Sequence, residues 1–179
     1  MKFKEFSGIK ILRWFLENPT KKIHFKDLCR LVKLGPPTVK KYCEGFIEFG
    51  WLDEERKANL RIFSLDNKNF VVKAIKRAYF LECLKRAEIE KVVTENVTSL
   101  ALYGSHSSGE YDEKSDIDLI VVGRKENVEY KRLEQIGKRL GKEIQLTIFS
   151  LEKWEGNKNV DTFMISVLRN NVLLRGAPL

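Results

Sequence analysis

A short apolar run that ends in a Gly-Ser pair is the feature that most constrains this chain. Residues 100–103 read Leu-Ala-Leu-Tyr, and Gly104 and Ser105 follow directly. A run of this length that stops at a glycine is typical of a buried strand. The backbone amides and the hydroxyl of such a turn face outward at the end of the strand, where they can bind a phosphate. The segment therefore predicts a phosphate-binding turn.

A pair of carboxylates opens the next predicted strand. Asp116 and Asp118 stand at alternate positions ahead of the apolar residues 119–122. Side chains two positions apart on a strand point to the same face. Carboxylates held this close repel each other unless a cation lies between them, and Mg²⁺ prefers hard oxygen ligands. Together with the Gly-Ser turn they predict a site for a metal-bound triphosphate; an acidic pair that only caps a turn is the alternative.

These motifs resemble those of the nucleotidyltransferase superfamily that includes DNA polymerase beta, and most closely its small archaeal and bacterial members. The family pattern is a hydrophobic residue with Gly-Ser, a spacer, and then Asp–hydrophobic–Asp–hydrophobic. The matching positions are Gly104, Ser105, Gly109, Ser115, Asp116 and Asp118. The resemblance implies an enzyme that transfers a nucleoside monophosphate from a nucleoside triphosphate to an acceptor and releases pyrophosphate.

The resemblance also implies a role for each matching residue. Asp116 and Asp118 would be the catalytic residues and would hold a pair of Mg²⁺ ions, which clamp the attacking and leaving oxygens of the α-phosphate. Gly104 and Ser105 would bind the β- and γ-phosphates. The nucleoside triphosphate is then the substrate, and Mg²⁺ is the expected cofactor.

Two positions depart from the family pattern. The family usually has a third carboxylate on the following strand, and the position that aligns best here is Gln145, whose neutral amide cannot accept a proton. Glu143 lies on the same strand face, and a register shift would bring it into the site instead. The family also often has an arginine after the Gly-Ser pair, where this chain has His106. His106 either contacts phosphate or metal as an accessory residue or is an exposed loop imidazole.

The first part of the chain has a different pattern. It predicts three short helices and then two β segments at residues 51–54 and 60–65, around a polar tip at residues 56–59. The third helix starts at the Gly-Pro-Pro-Thr sequence, since proline is tolerated in a first helical turn. This order resembles the winged helix-turn-helix domains of transcription regulators, over roughly residues 5 to 66.

That resemblance implies nucleic-acid binding through the third helix and the wing. The candidate residues at the start of the third helix are Thr38, Lys40 and Lys41, and those in or beside the wing are Arg56, Lys57 and Arg61. Lysine and arginine neutralise phosphates and release counterions, so the affinity would depend on salt. A solvated helix face, or a domain for protein docking and dimerisation, is the alternative.

The predicted fold class is α+β, with a winged helix-turn-helix domain at residues 1–66 and a nucleotidyltransferase domain at residues 94–179. The second domain is expected to hold a small mixed sheet flanked by helices, with a helix at residues 126–140 and a strand at 143–149. Residues 67–93 predict a connecting helix, which either belongs to the second domain, joins the two, or forms a homodimer surface. Its expected apolar side comprises Val71, Ile75, Ala78 and Leu81.

Composition narrows the class of protein. The formal net charge is +8, and 43% of the residues are hydrophobic. No apolar run approaches the roughly 18 residues that a membrane span needs, and the first residues lack the pattern of a signal peptide. The three cysteines and two histidines do not form a zinc or disulfide framework. A cytoplasmic protein without a membrane partner is expected.

Two other functions agree with the same residues. The first is a DNA-binding regulator whose second domain senses a nucleotide or is catalytically inactive, because Gln145 replaces the expected carboxylate. The second is an antitoxin-like protein, since some minimal nucleotidyltransferases that resemble this chain modify or mask a companion toxin. The acceptor, the preferred nucleotide and the choice between DNA, RNA and protein as target are left open by the sequence.

Overall fold

The computed structural model of the chain describes residues 6–179. It divides into two compact units, Met1–Lys76 and Arg77–Leu179. The division falls inside a helix, whereas the sequence placed a domain boundary earlier in the chain, after residue 66. Both units combine helices with a small sheet, so the chain is of the mixed α+β class.

The first unit contains three helices and a three-stranded antiparallel sheet. Its elements are α1 (Ser7–Glu17), β1 (Ile23–His24), α2 (Phe25–Val32), α3 (Pro36–Glu48), β2 (Leu52–Lys57) and β3 (Leu60–Leu65). The strand order is β1-β3-β2. The three helices follow the apolar periodicity of the sequence, because Ile11, Phe15, Leu28 and Val39 are fully buried. Whether this unit is a winged helix-turn-helix domain stays a prediction.

Two details of the first unit differ from the sequence-based expectation. Strand β2 extends through Arg56 to Lys57, so the hairpin loop consists of Ala58 and Asn59 and not of a four-residue polar tip. The short strand β1 was not predicted; it pairs with β3 through Ile23 and Phe63. A two-residue strand has too few positions to show a period of two.

The helix that contains the division between the units is α4 (Phe70–Arg86). It is shorter than the predicted connecting helix, because a 3₁₀ helix at Ile89–Val92 follows it. The predicted apolar side is also wrong. Buried positions recur every fourth residue at Val72, Lys76, Phe80 and Leu84, whereas Ala78 is exposed.

The second unit is built on a mixed four-stranded sheet. Its elements after α4 are β4 (Ser99–Tyr103), α5 (Gly104–Ser108), β5 (Ile117–Val122), α6 (Tyr130–Leu140), β6 (Ile144–Phe149), α7 (Leu151–Asn157), α8 (Thr162–Arg169) and β7 (Asn171–Gly176). A second 3₁₀ helix spans Lys125–Asn127. The strand order is β6-β5-β4-β7, in which β5 and β6 are parallel and the other pairs are antiparallel.

Both faces of this sheet are covered by apolar side chains. One face packs against residues of α4 and α6, including Phe80, Leu84 and Ile136. The other face places Ala101, Ile120 and Val122 against Trp154, Met164 and Val167 of α7 and α8. Because successive side chains alternate between the faces, Asp118 lies on the α7–α8 side, two positions before the buried Ile120.

Within residues 6–179, no helix is both long and apolar enough to span a membrane.

Candidate functional site

The end of β4 and the start of β5 lie side by side. Tyr103, the last residue of β4, pairs with Asp118 of β5. Gly104 follows with a φ of +70° and begins α5. A Cβ atom at Gly104 would overlap the Asp118 carboxylate and lie only 3.0 Å from its Cγ. The backbone of the Gly-Ser segment therefore approaches Asp118 as closely as only a glycine permits.

The helix α5 is fixed to the end of the sheet by a serine that the sequence did not single out. The Ser107 hydroxyl is buried and contacts the carbonyl oxygens of Gly104 and Asn170, at 2.8 and 3.1 Å. Ser105, which is half-buried, accepts a hydrogen bond from the Glu110 amide at its carbonyl oxygen, at 2.9 Å. The predicted Gly-Ser turn is thus the first turn of a short helix and not an open loop.

The charge of Asp116 acts on the neighbouring Asp118 carboxylate. Asp118 belongs to β5 and is half-buried, whereas Asp116 precedes the strand by one residue. Burial raises the pKa of the Asp118 carboxyl above its usual range, and the negative charge of Asp116 raises it further. Both effects disfavour the charged form of Asp118. A cation at this position would relieve the repulsion.

Gln145 lies beside both aspartates. The parallel register of β5 and β6 pairs Gln145 with Asp118. The Gln145 side-chain Nε2 donates a hydrogen bond to Oδ2 of Asp116, at 2.8 Å. Farther along β6, Thr147 shares a 3.2 Å hydrogen bond with the Tyr103 hydroxyl. The strand next to the carboxylates therefore contributes a neutral amide and a hydroxyl.

Glu143 does not take the place of a third carboxylate. It precedes β6, it is exposed, and the register pairs Gln145 with Asp118 without a shift. No cluster of three or more His, Cys, Asp or Glu side chains that could hold a metal occurs in the part of the chain that the structure describes. The expected register-shifted alternative for Glu143 is thus not the arrangement found.

His106 is not exposed, contrary to one of its two interpretations. Its imidazole is fully buried and stacks on the Tyr111 ring, with centroids 4.6 Å apart. The Phe80 ring lies 4.0 Å away on centroids. This burial excludes the exposed-loop interpretation, whereas an accessory contact with phosphate or metal stays a prediction. A single sequence could not reveal this, since the partners Phe80 and Tyr111 come from separate segments.

Lys142 is a polar residue that sequence reasoning missed. It follows the turn after α6, and its Nζ contacts the backbone carbonyl oxygens of Asp112, Glu113 and Ser115. These residues belong to the loop that leads into Asp116. The only signal in the sequence was a lysine in a turn near the predicted third strand, which is too common to mark a site.

The nucleic-acid candidates of the first unit are mostly engaged with acidic neighbours. Thr38 is half-buried and Lys41 is exposed, and the Lys40 ammonium lies 3.8 Å from Glu44. The remaining ion pairs join Arg56 to Glu54 at 3.0 Å and Lys57 to Glu55 at 3.2 Å. These acidic neighbours reduce the positive charge that the β2–β3 hairpin presents.

Arg61 does not fit the role of a nucleic-acid contact. Its guanidinium donates to both carboxylate oxygens of Glu54, at 2.6 and 3.2 Å, and its side chain is 21% exposed. It also lies over the rings of Phe25 and Phe63. A guanidinium held this way binds the elements of its own unit together and has little freedom to reach a phosphate.

The two aspartates fit a nucleotide-bound Mg²⁺. Mg²⁺ is usually held by one or two carboxylates, together with substrate phosphates and water. Asp116 and Asp118 supply such a pair, and burial together with the negative charge of Asp116 raises the pKa of Asp118. The close approach of Gly104 leaves backbone and not side chain next to that pair. The site can therefore accommodate a metal that arrives with its own phosphate ligands.

Comparison with solved structures gives distant similarities. Two are toxin–antitoxin crystal structures, one with AMP-PNP at 15% identity and one of a mutant MntA-HpeT pair at 13% identity. Each match covers 56% of this chain and 73% of that chain, with a TM-score of 0.34. The third is a nucleotidyltransferase from Sulfolobus solfataricus that is described as putative, at 22% identity, with 58% and 87% coverage and a TM-score of 0.33. Similarities at this level do not extend the activity of those proteins to this chain.

Comparison with protein families is more informative. The search among curated proteins gives no match. Residues 84–167, however, match the family model described as the nucleotidyltransferase domain. This segment includes β4, β5 and β6, and therefore the glycine, both aspartates and Gln145. Residues 84–167, just under half of the chain, are therefore similar to a nucleotidyltransferase domain.

Proposed function

We propose that the second unit is a metal-dependent nucleotidyltransferase, which moves a nucleoside monophosphate from a nucleoside triphosphate to an acceptor. The observation that carries the proposal is the proximity of the Gly104 backbone to the Asp118 carboxylate, beside Asp116. A hard-oxygen pair next to a backbone segment free of side chains suits a triphosphate that carries Mg²⁺. The family match supports the same reaction class.

In this proposal each residue has a specific task. Asp116 and Asp118 hold the Mg²⁺ ions, which supply Lewis-acid stabilisation of the charge on the phosphates. Gly104 and Ser105 bind the β- and γ-phosphates. The acceptor hydroxyl gives its proton to solvent water as its oxygen forms a bond to the α-phosphorus, the bond from that phosphorus to the bridging oxygen breaks, and pyrophosphate leaves. Gln145 cannot take the acceptor proton, because a side-chain amide is not a base at neutral pH.

Binding of nucleoside triphosphates is the first test, because it requires no knowledge of the acceptor. We expect at least one of the four ribonucleoside triphosphates to stabilise the protein when Mg²⁺ is present and not when EDTA replaces it. A ligand at 100 times its dissociation constant adds about 2.7 kcal/mol to the free energy of unfolding. For a chain of this size that is a rise in Tm of several degrees, roughly 5–10 °C. Thermal shift and calorimetry measure it, and no shift at millimolar nucleotide would contradict the proposal.

A nucleotide-binding domain without turnover is the second candidate, and one hydrogen bond favours it. The Gln145 amide occupies an oxygen of Asp116 at the position where the family usually has a third carboxylate. The domain would then sense a nucleotide for the first unit. Transfer of labelled nucleotide by the wild-type protein separates the two functions, since a sensor binds the nucleotide without cleaving it.

Gln145→Glu is expected to increase the affinity for Mg²⁺ in the presence of nucleotide by about tenfold, because it replaces an amide with a third hard anionic ligand. Titration calorimetry measures the change. The matched control is Glu143→Gln, which alters the charge in the opposite direction two residues away and is expected to leave the affinity unchanged. If Glu143→Gln lowers the Mg²⁺ affinity by a larger factor than Gln145→Glu raises it, Glu143 is the ligand.

For the first unit we propose contact with nucleic acid through Thr38, Lys40 and Lys41 at the start of α3, with Arg56 and Lys57 as weaker contributors. Lys41 carries this proposal, because it is exposed on the same helix end as Lys40. The affinity of the protein for a DNA duplex and for an RNA duplex, measured over a range of salt concentrations, tests this contact, because phosphate contacts make the affinity fall with salt. A homodimer and a companion toxin stay predictions, which the size of the purified complex would test.

A further inference from the structure

Lys142 binds the loop that leads into Asp116. Its ammonium donates to the main-chain carbonyl oxygens of Asp112, Glu113 and Ser115, at 3.2, 3.3 and 2.9 Å. An ammonium has three N–H donors and no acceptor, so three carbonyl oxygens use its full donor capacity. Three carbonyl groups of one loop thus converge on a single cation.

The loop also has hydrogen bonds of its own. The Asp112 carboxylate accepts from the Lys114 amide at 2.8 Å and from the Ser115 hydroxyl at 3.0 Å, and the Asp112 amide donates to the Ser115 hydroxyl at 2.9 Å. The bonds that its carboxylate accepts, first from the Lys114 amide and then from the Ser115 hydroxyl, hold the pKa of Asp112 below its usual range. They shape the loop internally, whereas Lys142 attaches it to the segment between α6 and β6.

The backbone of Lys142 is held on both sides. Its amide donates to the Gly137 carbonyl oxygen at 3.1 Å, and the carbonyl oxygen of the next residue, Glu143, accepts from the Ile117 amide at 2.9 Å. The side chain therefore starts from a fixed point beside β5. Because the Lys142 backbone is fixed, its ammonium can hold the loop at residues 112–115 in one position.

Burial of the Lys142 ammonium carries a desolvation cost. Burial lowers its pKa, while the negative charges of Asp112, Asp116 and Glu113 raise it. Burying a cation is unfavourable unless polar groups compensate it. Here carbonyl oxygens and carboxylates do so, and one of these carboxylates is Asp116, a predicted metal ligand.

We propose that Lys142 is a positioning residue, which fixes the loop at residues 112–115 and so holds the Asp116 carboxylate in place for metal and nucleotide. Asp116 is then held at two points, because the Lys142-bound Ser115 carbonyl precedes it and Gln145 binds its carboxylate at 2.8 Å. The role of the held carboxylate rests on the proposed function, whereas the effect on the loop belongs to the ligand-free protein.

The test compares Lys142→Met with Lys138→Met in the full chain. Lys138 lies on α6, is exposed and pairs with Glu134, so both variants remove one positive charge from the same region. Amide hydrogen exchange by NMR without ligand is the first readout. We expect the amides of Asp112, Lys114 and Ser115 to exchange about tenfold faster in Lys142→Met only, with the amides of β4 and β5 unchanged.

A second readout reports on Asp116 itself. A hydrogen bond to a carboxylate shifts the resonance of a side-chain amide, and Gln145 makes such a bond to Asp116. We expect the Gln145 resonance to move toward the position of a free amide in Lys142→Met but not in Lys138→Met. Calorimetry with ATP and Mg²⁺ is the third readout, with an expected loss of about tenfold in affinity. If Lys142→Met does not fold, Lys142→Gln serves in the same comparison, because its shorter side chain cannot reach three carbonyl oxygens.

The outcomes separate this proposal from the proposed function. Equal loop exchange in Lys142→Met and Lys138→Met would overturn the role of Lys142, and so would fast loop exchange with an unmoved Gln145 resonance. If the wild-type protein binds none of the four ribonucleoside triphosphates with Mg²⁺, the proposed function fails, while the two ligand-free readouts still decide the role of Lys142. Fast exchange and a moved resonance in Lys142→Met alone would support it.

Discussion

Asp118→Asn is expected to remove Mg²⁺-dependent nucleotide binding while the ligand-free protein stays at least as stable as the wild type. Loss of an anionic metal ligand should weaken binding by about 100-fold or more. Even substitution of a residue that only hydrogen-bonds to a metal ligand costs about 10- to 100-fold in metal affinity. Stability should not fall, because burial and the charge of Asp116 both disfavour the ionised Asp118 in the folded protein. Calorimetry with Mg²⁺ and nucleotide and thermal unfolding without ligand measure the two effects.

The effect of Asp118 on stability should depend on pH in a definite direction. The pKa of Asp118 is raised by folding, so the native protein binds more protons than the unfolded chain as the carboxyl titrates. The contribution of Asp118 to stability therefore falls as the pH rises from the usual pKa of an aspartate through the raised one, and the penalty is complete above it. The wild-type protein should lose stability over this range relative to Asp118→Asn.

The control is Asp53→Asn, which makes the same change of charge at an exposed position of the first unit. It should alter neither nucleotide binding nor the pH profile of this site. If Asp118→Asn loses both binding and several degrees of Tm, the side chain has a structural role and its assignment as a metal ligand is wrong.

Gly104→Ala is the second change with a large expected effect. The φ of +70° is costly for any residue with a Cβ, by about 1–2 kcal/mol. The added methyl group would also overlap the Asp118 carboxylate, so the carboxylate or the backbone must move. We expect Mg²⁺-dependent nucleotide binding to weaken by about tenfold or more, as calorimetry would show, because a shift of an ångström at a site can cost about 100-fold.

Gly50→Ala separates the overlap from the backbone strain. Gly50 has nearly the same φ, +68°, but a Cβ there would make only an ordinary contact, 3.5 Å from the Asn69 side chain. Backbone strain should cost the two variants a similar amount of stability. The overlap with Asp118 should cost Gly104→Ala a further amount. Only Gly104→Ala should lose nucleotide binding. Equal binding by the two variants would contradict the assignment of Gly104 to the phosphate site.

Much of the second unit could be predicted from the sequence, because its signals are local. The apolar run ahead of Gly104 and the run after Asp118 do form neighbouring strands, β4 and β5. The predicted third strand is β6, and its register pairs Gln145 with Asp118. Strands of this kind are specified by continuous apolar segments that end at glycine or polar residues, so few alternatives compete with them.

The sequence was a poorer guide wherever burial depends on partners far along the chain. His106 has the local setting of an exposed loop residue, but it is buried against the rings of Phe80 and Tyr111. The buried side of α4 was also misassigned, because Phe80 and Leu84 are selected by the sheet and not by the periodicity of the helix alone. Packing decides which of several apolar faces is buried, and packing partners cannot be read from one segment.

By itself, the sequence determined the α+β class, the Gly104–Ser105 segment at a strand end and the alternation of Asp116 and Asp118, because each rests on neighbouring residues and on backbone geometry. Only the tertiary structure decided that Arg61 binds Glu54 inside its own unit, that Gln145 donates to Asp116, and that Lys142 holds the loop before Asp116. Each of these contacts joins residues from different elements. A hydrogen bond requires an acceptor within about 3 Å in the right direction, and only the folded chain supplies that.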